Sequence, residues 1–164
     1  MDGKLSAFIE NYIQLEKHVR QRVDSLSHGF CADCAGDCCR EEICRESLIS
    51  PFLALLTSRQ RIPYDGRRGW LGPSGCRLAY GRPTVCYDFF CRWILDSPGF
   101  KTAGIQKIIH GFVAVGKKAH GNTQLMCIED LNILSPRKIE KMNQRACALL
   151  KRAQTTLYLG RSYF

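Results

Sequence analysis

A chain of 164 residues with ten cysteines and a formal charge of +9 can bury roughly 70% of the surface its unfolded form exposes, so one domain can fold without covalent staples. No stretch approaches the ~20 apolar residues of a membrane span, and the opening MDGKLSAFIENYIQLEKHVRQ has no apolar core behind a basic start. These features argue against a membrane-spanning helix and predict a soluble, cytoplasmic protein.

In chain order, Leu5, Phe8, Tyr12, Leu15, Val19 and Leu26 recur at the spacing of one helical stripe, which predicts an amphipathic helix over 4–26. Residues 27–46 and 60–100 are interrupted by glycine, proline and cysteine, keep neither strand alternation nor helical period, and read as loops that need an external organiser. Between them, Ser50 and Pro51 introduce Phe52, Leu53, Leu55 and Leu56 as a shorter helix. Ile105, Ile108, Ile109, Phe112 and Val113 mark another, expected to stop at Gly116. Ser135 and Pro136 read as the cap and first residue of a last helix, whose apolar stripe is Ile139, Met142, Ala146, Leu149, Ala153 and Leu157.

Eight of the ten cysteines fall in one segment: Cys31, Cys34, Cys38, Cys39 and Cys44, then Cys76, Cys86 and Cys91. In a reducing compartment such a cluster points to metal before disulfides. Thiolates are soft donors for Zn²⁺ or iron–sulfur clusters, four satisfy one centre, and eight would serve two. The C-x2-C pair Cys31/Cys34 lets one turn aim two sulfurs at one centre, whereas adjacent Cys38 and Cys39 point to different sides of regular structure. The C-x4-C pairs Cys39/Cys44 and Cys86/Cys91 sit about 140° apart on a helix, so sharing a metal needs a turn or a helix end. Pro83 biases Arg82 toward extended backbone, from which its guanidinium could reach a thiolate cluster or Asp88, and Tyr80 is a second candidate donor. Cys127 and Cys147 read as buried free cysteines, and His18, His28, His110 and His120 have no ligand assignment.

CADCAGDCC together with CRLAYGRPTVCYDFFC, over residues 31–91, resembles the YkgJ-like or CxxCxxCC cysteine-cluster family of zinc- or iron-chelating proteins. The most telling part is C-x5-R-P-x2-C, carried by Cys76, Arg82, Pro83 and Cys86 and followed by Cys91. A similar module occurs in flagellin lysine methylases. The resemblance implies that the eight clustered cysteines bind metal. Two departures stand out: three residues separate Cys34 from Cys38, and Arg67 stands where the family has a further cysteine, with Cys44 as the candidate replacement.

The expected architecture is therefore mainly α: a small helical bundle with a cysteine-rich, loop-dominated metal-binding segment. It forms a single domain over 1–164, with a helix at 4–26, the cysteine-rich segment at 27–100 and a C-terminal helical part at 101–164. No HExxH, GK[ST] phosphate loop, G-x-S-x-G elbow or dinucleotide fingerprint is present, so no catalytic residue is nominated. The acidic pairs Glu41-Glu42 and Glu129-Asp130 read as solvated surface. The leading expectation is a metal-binding protein with a multi-cysteine centre, iron–sulfur slightly ahead of zinc. Its alternatives are an iron–sulfur component of a methylase-like protein-modification system and a zinc-stapled nucleic-acid module. Metal and a protein are the expected partners. Nucleic acid ranks behind them, because the basic runs Arg67-Arg68, Lys117-Lys118 and Arg137-Lys138 are scattered, and eight thiolates on two Zn²⁺ would lower the net charge to about +5.

Overall fold

The computed structural model describes residues 3–31, 40–73, 75–88, 92–96, 103–122, 126–127 and 135–160, and side chains within 3–27, 40–73, 75–88, 94–96, 105–120 and 135–154. Seven helices occur among the described residues: α1 (Gly3–Cys31), α2 (Glu41–Ile49), α3 (Pro51–Ser58), α4 (Val85–Asp88), α5 (Arg92–Asp96), α6 (Ala103–His120) and α7 (Pro136–Gly160). Two antiparallel two-residue hairpins complete them, β1 (Leu71–Gly72) with β2 (Gly75–Cys76), and β3 (Gly121–Asn122) with β4 (Met126–Cys127).

The predicted stripes form the core. Phe8, Tyr12, Leu15 and Val19 of α1 are buried with Ile139, Met142 and Ala146 of α7 and with Ile105, Ile109, Phe112 and Val113 of α6. Asn11 and Asn143 add a polar latch between α1 and α7, at 2.9 Å. An aromatic chain ties four helices together. Tyr12 meets Phe52 of α3 edge-on at 5.0 Å and Phe112 of α6 at 5.2 Å, and Phe112 meets Tyr87 of α4 edge-on at 5.0 Å. These ring pairs anchor the 80–88 segment to the helical core. The expected caps form: Ser50 Oγ accepts from Leu53 N, and Ser135 Oγ from Lys138 N.

Three boundaries differ from expectation. Helix α1 continues to Cys31, because nothing before Gly29 breaks it and a single helical glycine costs only about 1 kcal/mol. Residues 41–46, expected as loop, lie in α2, where Glu41 and Glu42 occupy the first turn and favour the helix dipole. Helix α6 does not stop at Gly116 but runs to His120. Gly116 serves packing instead: a Cβ there would lie 2.4 Å from Thr84 Cγ2, 3.0 Å from the Tyr12 hydroxyl and 3.2 Å from His120 Nε2.

His120 is wholly buried beside this contact, and neither ring nitrogen has a hydrogen-bond partner. Burial pulls its pKa down to about 4. The unfolded chain, titrating near 6.5, therefore binds the extra proton first, so this stability is complete above about pH 6.5 and lost as pH falls toward 4. Between pH 7.5 and pH 5 the native protein is expected to lose about 2 kcal/mol more stability than a His120→Leu variant, read by urea denaturation at the two pH values. Equal losses would show that His120 is not held neutral.

Candidate metal centre

Cys44 lies on the inner face of α2, buried in a small cluster with Trp70 and Leu78 against which Cys76 also packs. Two residues 32 positions apart in the chain thus share one cluster, brought together by local chemistry that can be traced bond by bond. Asp65 Oδ1 accepts from the backbone N–H groups of Arg67 at 2.7 Å and Arg68 at 2.9 Å, and closes a turn that ends at Gly69. Gly69 has φ +60, and a Cβ on it would sit 2.4 Å from Cys44 Cβ and 2.7 Å from Cys44 Sγ. Only glycine supplies both the left-handed backbone and the close approach. The turn also brings the Trp70 backbone N–H near enough to Cys44 to lower its pKa. The Trp70 indole donates to Ser47 Oγ at 2.6 Å, Ser47 donates in turn to the Cys44 carbonyl at 2.7 Å, and Tyr64 donates to Glu41. These bonds clamp α2 to the loop, and Leu71 pairs with Cys76 in the β1–β2 hairpin.

Two guanidiniums hold the strand that follows Cys76. Arg82 donates to the carbonyls of Cys76 at 3.2 Å and Leu78 at 3.4 Å. Arg20, from α1, donates to the same two carbonyls. Gln60 pins the next residues, donating to the Tyr80 carbonyl at 2.8 Å and accepting from Ala79 N at 2.7 Å. The Arg82-Pro83 turn itself is organised by Glu16, which is wholly buried on α1. Its carboxylate accepts from Gly81 N at 2.7 Å, Arg82 N at 2.9 Å and the Tyr87 hydroxyl at 2.9 Å. Burial pushes the Glu16 pKa up, against those three donors and the Arg82 charge, which pull it down. All three partners are donors, which suits the ionised, acceptor-only carboxylate.

Electrostatics follow from this geometry. Burial raises the Cys44 pKa and so do the neighbouring charges of Cys76 and Glu41, while the Trp70 N–H and the Arg82 charge lower it. The thiol therefore stays protonated at neutral pH. Burial lowers the Arg82 pKa, but Tyr87, Cys76, Asp24 and Cys86 around it outweigh that and raise it. Arg82 is thus a permanent cation, hydrogen-bonded to the Cys76 carbonyl and acting electrostatically with Cys44 and Cys86.

Cys86 lies on α4 with its N–H on the Pro83 carbonyl at 3.0 Å. Cys31 closes α1, and its side chain, with Cys34, Cys38, Cys39 and Cys91, lies outside the described residues. Among the described residues no three metal-ligating side chains form a group. Asp88 is not the Arg82 partner; it accepts from Lys117 of α6 at 2.8 Å. Tyr80 packs beneath Lys17, whose ammonium lies 5.4 Å from the ring centre. Arg67 is exposed on the Asp65 turn. Cys147 is half-buried on α7, and the side chains of Cys127 and His28 and the pair Glu129-Asp130 are outside the described set. His18 Nδ1 contacts the Gln14 carbonyl at 2.8 Å, and His110 is exposed. Glu41 is only half-exposed and pairs with Arg45 at 2.8 Å, so it latches α2 and is not the solvated surface expected.

Glu16, Arg20, Ser47 and Gly69 were not nominated from sequence. For Glu16 a signal exists, since an acid four residues after Tyr12 and three before Val19 falls on the apolar stripe of its own helix. Comparison of the chain with protein-family models, curated proteins and solved structures finds no match.

Proposed function

We propose that this chain is a metal-binding protein whose multi-cysteine thiolate centre, an iron–sulfur cluster ahead of zinc, joins the cysteine-rich segment to the helical core. One observation carries the reading: Cys44 and Cys76 pack in one cluster, the Arg82 guanidinium is hydrogen-bonded to the Cys76 carbonyl, and the Trp70 N–H and the Arg82 charge both favour the Cys44 thiolate. N–H donors and a fixed cation stabilise anionic thiolates and tune the centre they hold. Cys44 and Cys76 would be two of its ligands, with Cys86 beside them and Cys31, Cys34, Cys38, Cys39 and Cys91 supplying the rest. The resemblance of residues 31–91 to the YkgJ-like family points the same way. When bound, the group would supply a strong cross-link between chain segments, or a redox-active centre if it is iron–sulfur.

The test is purification under anaerobic conditions, followed by an absorbance spectrum and elemental analysis. A brown protein with stoichiometric iron and sulfide is the expected result. A colourless protein with stoichiometric zinc keeps the thiolate centre and removes the cluster, and a protein free of metal after metal-replete expression overturns the proposal.

A further inference from the structure

The +9 charge is not spread evenly over the fold. Helix α6 has three lysines and no acid, and α7 has six basic residues against Glu140 alone, so these two helices carry eight of the nine net positive charges. They pack side by side. Gly111 of α6 lets Leu149 of α7 come so close that a Cβ there would lie 2.6 Å from Leu149 Cδ2. Above this contact runs an open groove of about 440 Å³ lined by Lys107, His110, Gly111, Arg145, Ala148, Leu149 and Arg152. Among the described residues no acid lines it. Glu140 faces the other way, with Lys4 of α1 3.5 Å from its carboxylate.

At 100° per residue, Lys138, Lys141, Arg145 and Arg152 fall on one stripe of α7, about 21 Å long. All four are exposed, as is Lys107 across the groove. An exposed row of cations creates a positive potential that attracts a row of anions. The exposed large apolar side chains among the described residues are Leu48, Ile49 and Leu95, none of them on the described parts of α6 or α7, so the described part of this face offers nothing to insert into a lipid surface. Among the described residues no aromatic side chain lines the groove to stack unpaired bases.

We infer that the α6–α7 face binds a nucleic-acid duplex by its phosphate backbone, without reading sequence, through Lys107, Lys138, Lys141, Arg145 and Arg152. The site is separate from the thiolate centre, and its test does not depend on metal. Fluorescence anisotropy with 20-base-pair DNA and RNA duplexes of arbitrary sequence should give micromolar binding near 50 mM salt. On DNA, log K should fall with log salt at a slope of about −4 to −5, close to 0.9 per phosphate contacted. Arg145→Ala should lower that slope by about one. The triple variant Lys107→Glu, Arg145→Glu, Arg152→Glu should bind at least 100-fold more weakly with unchanged circular dichroism and metal content. The stronger of the DNA and RNA arms names the duplex. Four results would each overturn the inference: no duplex binding at low salt, equal binding by the triple variant, tighter binding of a single strand, or equal binding of polyglutamate or phosphatidylserine vesicles.

Discussion

Glu16→Ala is expected to cost about 3–5 kcal/mol, a large share of what a domain of this size has to lose. The carboxylate accepts two backbone N–H groups and the Tyr87 hydroxyl in a wholly buried site. Alanine leaves all three donors without an acceptor, at roughly 1–3 kcal/mol each before relaxation, and removes a carboxylate that feels the Arg82 charge. Glu16→Gln keeps one acceptor oxygen but points an amide N–H at the same donors, so it should lose less than alanine and more than a surface change. Urea denaturation gives the totals. Amide exchange at Gly81 and Arg82 gives the local effect, because those two N–H groups lose protection first if Glu16 is their acceptor. A loss below 1 kcal/mol for alanine, with protection intact, would show that the turn holds its shape without the carboxylate.

Cys44→Ser separates the metal reading from a purely structural role for the buried thiol. A serine hydroxyl is a harder, weaker donor than a thiolate, and structural zinc sites bind with on the order of 10 kcal/mol shared over four ligands. Losing one ligand should therefore weaken metal binding on the order of 100-fold. Metal content after dialysis should fall, and protease resistance should fall with it. Cys147→Ser is the matched control, since Cys147 lies on α7 with its sulfur 3.9 Å from Asn143 Oδ1 and outside the Cys44–Cys76 cluster. If Cys44→Ser retains metal as Cys147→Ser does, Cys44 is a packed core thiol and the ligand set must be drawn without it.

The departure at Arg67 has a structural counterpart. Where the cysteine-cluster pattern that the sequence resembles carries a cysteine, this chain carries an exposed arginine on the Asp65 turn, and the same turn brings Gly69 against Cys44. This is the physical case for proposing Cys44 as the replacement ligand. Spacing alone could not make it, because a C-x4-C pair says nothing about which sulfur a turn 25 residues downstream will touch.

Helices at both ends and the core they share were legible in the residues themselves. Leu5 to Leu26 and Ile139 to Ala153 each repeat at helical spacing, and the caps Ser50 of α3 and Ser135 of α7 act through bonds to residues three positions away. Periodicity and capping are local properties, so they survive without knowledge of the fold. What tertiary structure decided was every feature that depends on two distant segments meeting. Gly116 looks like a stop and proves to be a packing contact with Thr84 and Tyr12. Glu16 looks like one more polar residue of a long helix and proves to hold a turn 65 positions away. The basic residues look scattered along the chain, yet α6 and α7 lie side by side and bring Lys107, Lys138, Lys141, Arg145 and Arg152 to one face. Burial, close approach and summed charge are set by neighbours in space, and only the folded chain determines which neighbours those are.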